Sequence, residues 1–464
     1  MKSKQPEQPR WLNRVYARVI YPIFDPRSYG RFSDRLHRYQ RIEGSSLEAN
    51  RELQWQALTR LLAHAYDSSP FYRQRFDQAG VRPSDIASSA DLRKIPPLTR
   101  DDLRNHLAEI QSRRYRPEEL VRSATGGTTD TPVPLLRDPE CVREKVAVQW
   151  RFNSWAGLFP GDKVFYLWGA TFDLPRNPSW RYRLYDRHLM RRVWAPTSDL
   201  SEKVLESYRQ ALNQLRPRIV YAYPRALALF CEFLRACGRP YVRPKAAICT
   251  AELLFPEQRQ VIEAVLGCPV FDHYGTRDFG LPAAECEEHR GLHVNPLVVY
   301  FEYLPVKDAE IEGLREIVVT DLLNYGMPMI RYQVNDCAVV DSEVCPCGRG
   351  FPIIKGLVGR TSDLFRLADG TVVMGGSLLS RAIGQACRTL KKIQIIQEAF
   401  TEFRFRFVPG EGFAEEDLKL LQKRLDEYFG VQLQWKFEKV EDIERERSGK
   451  TRLCISRVTN PLVR

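Results

Sequence analysis

Long apolar runs are missing from this sequence. Hydrophobic residues make up 44% of it, yet no stretch approaches the ~20 residues that a membrane span requires. The start, MKSKQPEQPRWLNRV, has no apolar block and no cleavage site, so a secretory signal is not expected and the cytoplasm is the expected location. Repeats and low-complexity tracts are absent too. The eleven cysteines are odd in number and scattered, which argues against a disulfide framework in a chain this large. Most of them, such as Cys231, Cys249 and Cys454, sit among apolar neighbours and read as small core residues. A dense basic run is likewise missing despite a net charge of +12, so nucleic acid is not an expected partner.

What is present begins with length: 464 residues exceed one ordinary core, and two or more domains follow. Half of the net charge lies in residues 1–60, which hold 12 Lys/Arg against 6 Asp/Glu. There WLNRVYARVIYPIF sets Arg14 and Arg18 one helical turn apart among apolar residues. That pattern fits a packing helix best, and it leaves peripheral membrane contact through a basic arm open. In LEANRELQWQALTRLLAHAY (47–66), Leu58, Leu61, Leu62 and Ala65 share one helical face. Thr99 then reads as the cap of another helix.

From 140 to 330 short apolar runs alternate with helical patterns: KVFYLW (163–168), RIVYAY (218–223), LALFCEFLRACG (227–238), KAAICT (245–250), PEQRQVIEAVLG (256–267) and PVFDHYG (269–275). Strand then helix, repeated, predicts an α/β fold with a mostly parallel sheet flanked by helices. The last hundred residues change character. FRFRF (403–407) and VQLQWKF (431–437) alternate with period two around an amphipathic helix carrying Leu418, Leu421, Leu425 and Tyr428. A small C-terminal α+β domain follows, giving a basic arm at 1–46, a large domain at 47–359 and a small mobile domain at 360–464.

Two stretches carry chemistry by their composition. In SATGGTTDTP (123–132), Gly126 and Gly127 let consecutive N–H groups turn into an anion-binding concavity, and Thr128 and Thr129 add neutral donors. The loop lacks the lysine and flanking pattern of a P-loop. In ECEEHRGLH and CPCG, the thiols of Cys286, Cys345 and Cys347 with an imidazole make a closed tetrahedral zinc set. His293, at a strand entry, is the expected fourth ligand rather than His289.

The order of motifs resembles one family. SATGGTTDTP, RFNSWAGLFPGDKVFYLWG (151–169), YAYPRALALF (221–230), ICTAELLFPEQRQVIEAVLGCPVFDHYGTRDFG (248–280), MPMIRYQVND (327–336), GLVGRTSDLF (356–365) and SGKTR (448–452) are similar to the adenylate-forming superfamily. The resemblance is to its phenylacetate–coenzyme A ligase-like branch with capsule-biosynthesis relatives, and it spans about residue 50 to the C-terminus. It implies ATP-dependent conversion of a small-molecule carboxylic acid to acyl-AMP, then transfer to coenzyme A. An amine or hydroxyl acceptor, or a non-catalytic scaffold, are the competing expectations, and a homodimer is allowed. The resemblance also implies the nucleotide-binding set: Thr125, Gly126, Gly127, Thr128, Thr129, Glu252, Tyr274, Gly275, Thr276, Asp336 and Arg360. Tyr274 would face adenine, Asp336 the ribose hydroxyls, and Asp278 a Mg²⁺ ion, where the family more often has glutamate. Lys450 would be the catalytic cation and Ser362 and Asp363 the hinge; some members of the branch carry a structural zinc. Trp168, Tyr223 and Phe271 are expected to line the acid pocket. Three departures stand out: Ser362 takes a position that is usually acidic in the family, with Asp363 next to it, and the others are at Asp130 and Asn335. Asp130 replaces a glycine and predicts weaker ATP affinity or altered loop geometry, whereas Asn335, also in place of glycine, tolerates left-handed φ.

Overall fold

Branched and aromatic side chains fit a pleated surface buried on both faces, and the apolar runs of the middle third take that form. The computed structural model describes residues 10–124, 133–169, 179–180, 184–306, 309, 311–340, 344–375, 389–410, 412–429, 433–444 and 453–458. Strands β1 (Val121–Ala124) and β2 (Pro134–Arg137) pair antiparallel on either side of the glycine–threonine stretch. Further on come β3 (Val164–Trp168), β4 (Arg192–Pro196), β5 (Ile219–Ala222), β6 (Ala246–Thr250), β7 (Val270–Thr276), β8 (Gly280–Glu285), β9 (Leu292–Val294) and β13 (Ile353–Ile354). They make an eight-stranded sheet in the order β13-β9-β8-β7-β6-β5-β3-β4. From β4 to β7 every pairing is parallel, and β8, β9 and β13 continue antiparallel.

Helices Glu202–Leu215, Pro224–Cys237 and Pro256–Leu266 connect the parallel strands. The last two begin with proline and stop at Gly238 (φ 61°) and Gly267 (φ 64°), left-handed positions that glycine adopts without strain. Helix Pro139–Trp155 covers the opposite face, where Trp150 packs on the layer of Tyr221, Ile248 and Phe271. A second sheet runs β10 (Val299–Pro305), β11 (Leu314–Asp321), β12 (Tyr332–Val339) and β14 (Gly356–Arg360), all antiparallel.

The C-terminal residues build their own core. The hairpin β15 (Leu364–Arg366) and β16 (Val372–Met374) precedes a sheet of β17 (Leu390–Gln397), β18 (Glu402–Pro409), β19 (Gln434–Lys439) and β20 (Cys454–Ser456), ordered β19-β18-β17-β20. Alternation in β18 points Phe403, Phe405 and Phe407 inward against Leu421 and Leu425 of helix Glu415–Phe429. Each such buried side chain is worth about 2 kcal/mol.

Residues 10–43 form short helices whose inner face joins the large core through Tyr16, Tyr21, Phe32 and Tyr39. Arg35 and Arg38 pair with the buried Glu144 of helix Pro139–Trp155, and Tyr39 Oη donates to the same carboxylate at 2.6 Å. This is the packing arrangement expected of the basic segment. Among the described residues no helix is long and apolar enough to cross a membrane.

Candidate active site

The parallel strands end on one edge, where open α/β sheets hold ligands. Tyr274 and Gly275 lie inside β7 rather than just beyond it, because the strand continues to Thr276 through a register shift against β8. A Cβ on Gly275 would stand 3.0 Å from Thr250 Oγ1, so the close approach of the β6 end requires glycine. Thr276 Oγ1 accepts from Phe279 N at 3.0 Å and closes the turn that carries Asp278. Glu252, half-buried, follows Ala251, whose φ of 71° is strained for a residue with a Cβ and marks the turn after β6.

Asp336 reaches this edge from the second sheet. Ile317 pairs with Asp336 but Val318 pairs with Gln333, so Val334 and Asn335 form a bulge in β12. Asn335 has φ 62°, the left-handed conformation its side chain tolerates. Beyond the bulge Tyr274 Oη donates to Asp336 Oδ2 at 2.5 Å. Arg360 pairs with Asp336 across β12 and β14, its Nε 3.5 Å from Oδ1. Both carboxylate oxygens are thus oriented by groups that the sequence assigned to the same nucleotide. Burial, then the Asp336 charge, raises the Tyr274 phenol well above its ordinary range, so it stays a donor.

Asp278 is buried, and its Oδ1 has no hydrogen-bond partner. Burial raises its pKa, opposed first by Arg100, then by Arg137 and more weakly by Lys145. Lys145 Nζ lies 3.3 Å from the Asp278 carbonyl oxygen and 2.6 Å from Asp321 Oδ2, a buried ion pair. Arg137 donates to the carbonyl of Arg277, whose Nη1 donates to Ala124 O at 3.4 Å. The residues flanking the glycine–threonine loop therefore border the Asp278 turn. An orphaned carboxylate oxygen fits a magnesium ion that takes its other ligands from phosphate and water. Arg100, Arg137 and Lys145 were not singled out by sequence. Arg100 comes from a different segment, carried where Leu98 bridges Tyr332, and only the nearness of Arg137 to the loop gave any hint.

Ser362 and Asp363 lie in the turn Thr361–Asp363 directly after β14, where Asp363 Oδ2 accepts from Arg360 N at 3.2 Å. The side chain of Ser362, all of Thr125, Gly126, Gly127, Thr128, Thr129 and Asp130, and Lys450 lie outside the described residues. Of the expected pocket residues, Trp168 and Tyr223 meet edge to face at 5.0 Å beside Gly169, where a Cβ would stand 2.6 Å from Tyr223. Phe271 sits deeper, in register with Ile248 and Tyr221.

The thiol set assembles as expected. Ligand atoms of Cys286, His293, Cys345 and Cys347 all lie within 4.8 Å of one another. Cys286 Sγ is 3.6 Å from Cys345 Sγ, and Cys347 Sγ is 3.4 Å from His293 Nε2. A tetrahedral zinc with ligands at about 2.0–2.3 Å has ligand–ligand edges of about 3.5–3.8 Å, so the residues fit that ion. His293 is buried and pushed down to about 4, by burial and then by Arg349, leaving a neutral imidazole. His289 turns away, its Nδ1 3.2 Å from Glu285 Oε2. The cluster ties the end of β8 and strand β9 to the loop before β13, on the antiparallel side of β7.

A parallel sheet with this carboxylate edge, followed by a separate α+β unit, is the architecture that the known proteins below share. Residues 367–457 match the CapK C-terminal domain family. The chain is 27% identical over 372 residues to the phenylacetate–coenzyme A ligase of Pseudomonas putida, covering 77% of this chain and 80% of that one. It is 29% identical over 313 residues to the Escherichia coli K12 enzyme of the same name, covering 64% and 68%. A crystal structure of 2-hydroxyisobutyryl-CoA ligase in the postadenylation state shares the fold, with a TM-score of 0.71, 20% identity and coverage of 91% and 92%. The chain is thus similar in sequence to phenylacetate–coenzyme A ligases and shares the fold of an acyl-CoA ligase, and its C-terminal residues match the CapK C-terminal domain.

Proposed function

We propose that the protein uses ATP to activate a carboxylic acid and passes the acyl group to the thiol of coenzyme A, in the cytoplasm where both are supplied. The observation that supports this reading most is the contact group Tyr274–Asp336–Arg360 beside Asp278 at the sheet edge. A carboxylate accepts from both hydroxyls of a ribose, and a buried phenol gives adenine a flat wall. In the first step an oxygen of the acid attacks the α-phosphorus, the bond to the β-phosphate breaks, and pyrophosphate leaves with the electron pair. In the second, the coenzyme A sulfur attacks the acyl carbon, AMP departs and the thiol proton goes to solvent.

Two anions meet in the first step, and negative charge gathers in its transition state. We assign Lys450 to neutralise that charge, with the small domain turning about Ser362 and Asp363 to bring it in and withdraw it. Arg100 and Arg137 hold the Asp278 turn in a positive surround suited to a polyphosphate. Asp278 would hold magnesium, which when bound neutralises phosphate charge. Trp168 and Tyr223 suit a flat or aromatic acid. Cys286, His293, Cys345 and Cys347 would hold a structural zinc, since four protein ligands leave no open position. The second reading, transfer to an amine or hydroxyl, rests on the CapK-type C-terminal domain.

Trapping with hydroxylamine across aryl, amino and short acyl acids tests the reading. At least one acid should give a hydroxamate, and Lys450→Ala should lower that rate by about 10²–10³-fold, the scale of losing one group that stabilises transition-state charge. No hydroxamate with any acid, and no ATP binding, would establish the scaffold instead.

A further inference from the structure

The first helical turns carry apolar side chains on two opposite faces, and only one face is covered. Tyr16, Ala17 and Tyr21 point inward. Tyr16 lies over Gly161, where a Cβ would stand 2.5 Å from the ring, and Tyr21 Oη accepts from Gly161 N at 3.1 Å. Asn13 Nδ2 donates to Pro160 O at 2.7 Å. These contacts fix the rotation of the segment about its axis. The opposite face then presents Trp11, Val15, Val19 and Ile23, spaced four residues apart, and Phe24 beside them. Trp11 is 62% exposed, Ile23 66% and Phe24 53%. The stripe passes through a π-helical turn at Tyr16–Ile20. Phe24 meets Tyr185 at 6.2 Å, and the neighbouring Leu184 is 48% exposed, extending the patch onto a second element.

Single exposed apolar residues are ordinary, but a contiguous row on a helix already packed on its other side needs a partner. The charges around the row choose among partners. Arg14, Arg18 and Arg27 are exposed along it, and Arg187 is exposed next to Leu184. The nearby acids face elsewhere: Asp25 Oδ1 accepts from Ser28 N at 3.1 Å, and Asp186 is buried against Arg192 and Trp194. The outward surface is therefore apolar and cationic. Tryptophan and arginine at the border of an apolar stripe suit a headgroup layer, where the ring sits at the interface and the guanidinium meets lipid phosphate.

We propose that Trp11–Phe24 and Leu184 form a docking surface for an anionic lipid membrane, holding the protein peripherally without crossing the bilayer. The full-length protein should co-sediment with vesicles of phosphatidylcholine containing phosphatidylglycerol and not with phosphatidylcholine alone. Arg14→Gln with Arg18→Gln should weaken partitioning about twenty-fold, since each basic group near such a surface contributes about fivefold, and raised salt should do the same. Trp11→Ser with Ile23→Ser should abolish sedimentation while the thermal midpoint stays at the wild-type value, because both side chains are exposed. Should that variant fold poorly, the two arginine substitutions and the salt series still decide the matter. Absence of vesicle binding by the folded wild type overturns the proposal. Equal binding to both vesicle compositions also overturns it, as does concentration-dependent self-association that Trp11→Ser with Ile23→Ser removes.

Discussion

Asp336 has both oxygens engaged, one by the Tyr274 hydroxyl and one facing Arg360. Replacing it with alanine removes the proposed nucleotide contact and touches none of the proposed acid-pocket residues. Asp336→Ala should therefore raise the KM for ATP by at least about tenfold, the value of one charge-assisted hydrogen bond of 1.5–3 kcal/mol, with a smaller change in the KM for the acid, read from initial rates. Asp272 offers a test of another kind. It is half-buried in β7 near Glu285, and desolvation, then that neighbouring charge, pushes it up to about 7. A carboxyl whose pKa is raised on folding favours the folded state while protonated. Its contribution is complete below about pH 4 and is lost as pH rises through about 7. Asp272→Asn should match wild-type thermal stability near pH 4 and exceed it increasingly toward pH 8, in melts recorded across that range. At this scale residues grouped by motif in the sequence also meet in the structure, Asp336 with Tyr274 and Arg360, and the four metal-type ligands with one another. Sequence reading missed Arg100, Arg137 and Lys145, because what gives them meaning is Asp278, more than a hundred residues away in the chain.

Among the elements, the bulge in β12 shows what local sequence can specify. Asn335 was legible as a residue that accepts left-handed φ, and the structure places it at φ 62°. Asn335→Gly should leave stability unchanged within a few tenths of a kcal/mol. Asn335→Val should cost about 1–2 kcal/mol, the strain of a branched residue held left-handed, measured by urea unfolding, and should raise the KM for ATP because Asp336 follows it. The cysteine loop before β13 allows a similar test. Purified protein should carry one zinc per chain by metal analysis. Cys345→Ser should lose it together with several degrees of thermal stability, since Ile353 and Ile354 pair with β9 only where that loop is anchored. Strand-then-helix alternation revealed β3, β5, β6 and β7 and helices Pro224–Cys237 and Pro256–Leu266, but not β4 or helix Glu202–Leu215. The antiparallel continuation through β8, β9 and β13 was not legible, since GLPAAE lacks the period-two alternation of a half-exposed strand and β13 pairs with β9 across the intervening strands β10 to β12.

For the whole molecule, the hydrophobic clusters of the large sheets among the described residues separate along the chain from the one centred on Phe403, Phe405 and Leu421. Their order follows composition: parallel-sheet runs first, period-two strands last. What composition could not show is how charges from distant segments lock the first core. Lys145 with Asp321, and Glu144 with Arg35 and Arg38, are buried pairs joining elements more than a hundred residues apart. Breaking one leaves an uncompensated charge, so Lys145→Met should destabilise the protein by about 3–5 kcal/mol in urea unfolding. The proposed function brings a nucleotide and an acid together at the edge of the large sheet. Acid-dependent exchange of labelled pyrophosphate into ATP tests that claim most directly. The wild type should exchange label only when a suitable carboxylic acid is present, and Asp336→Ala should lose exchange at limiting ATP and recover it at saturation. Exchange that ignores the acid, or that is identical in both proteins at every ATP concentration, would contradict the account.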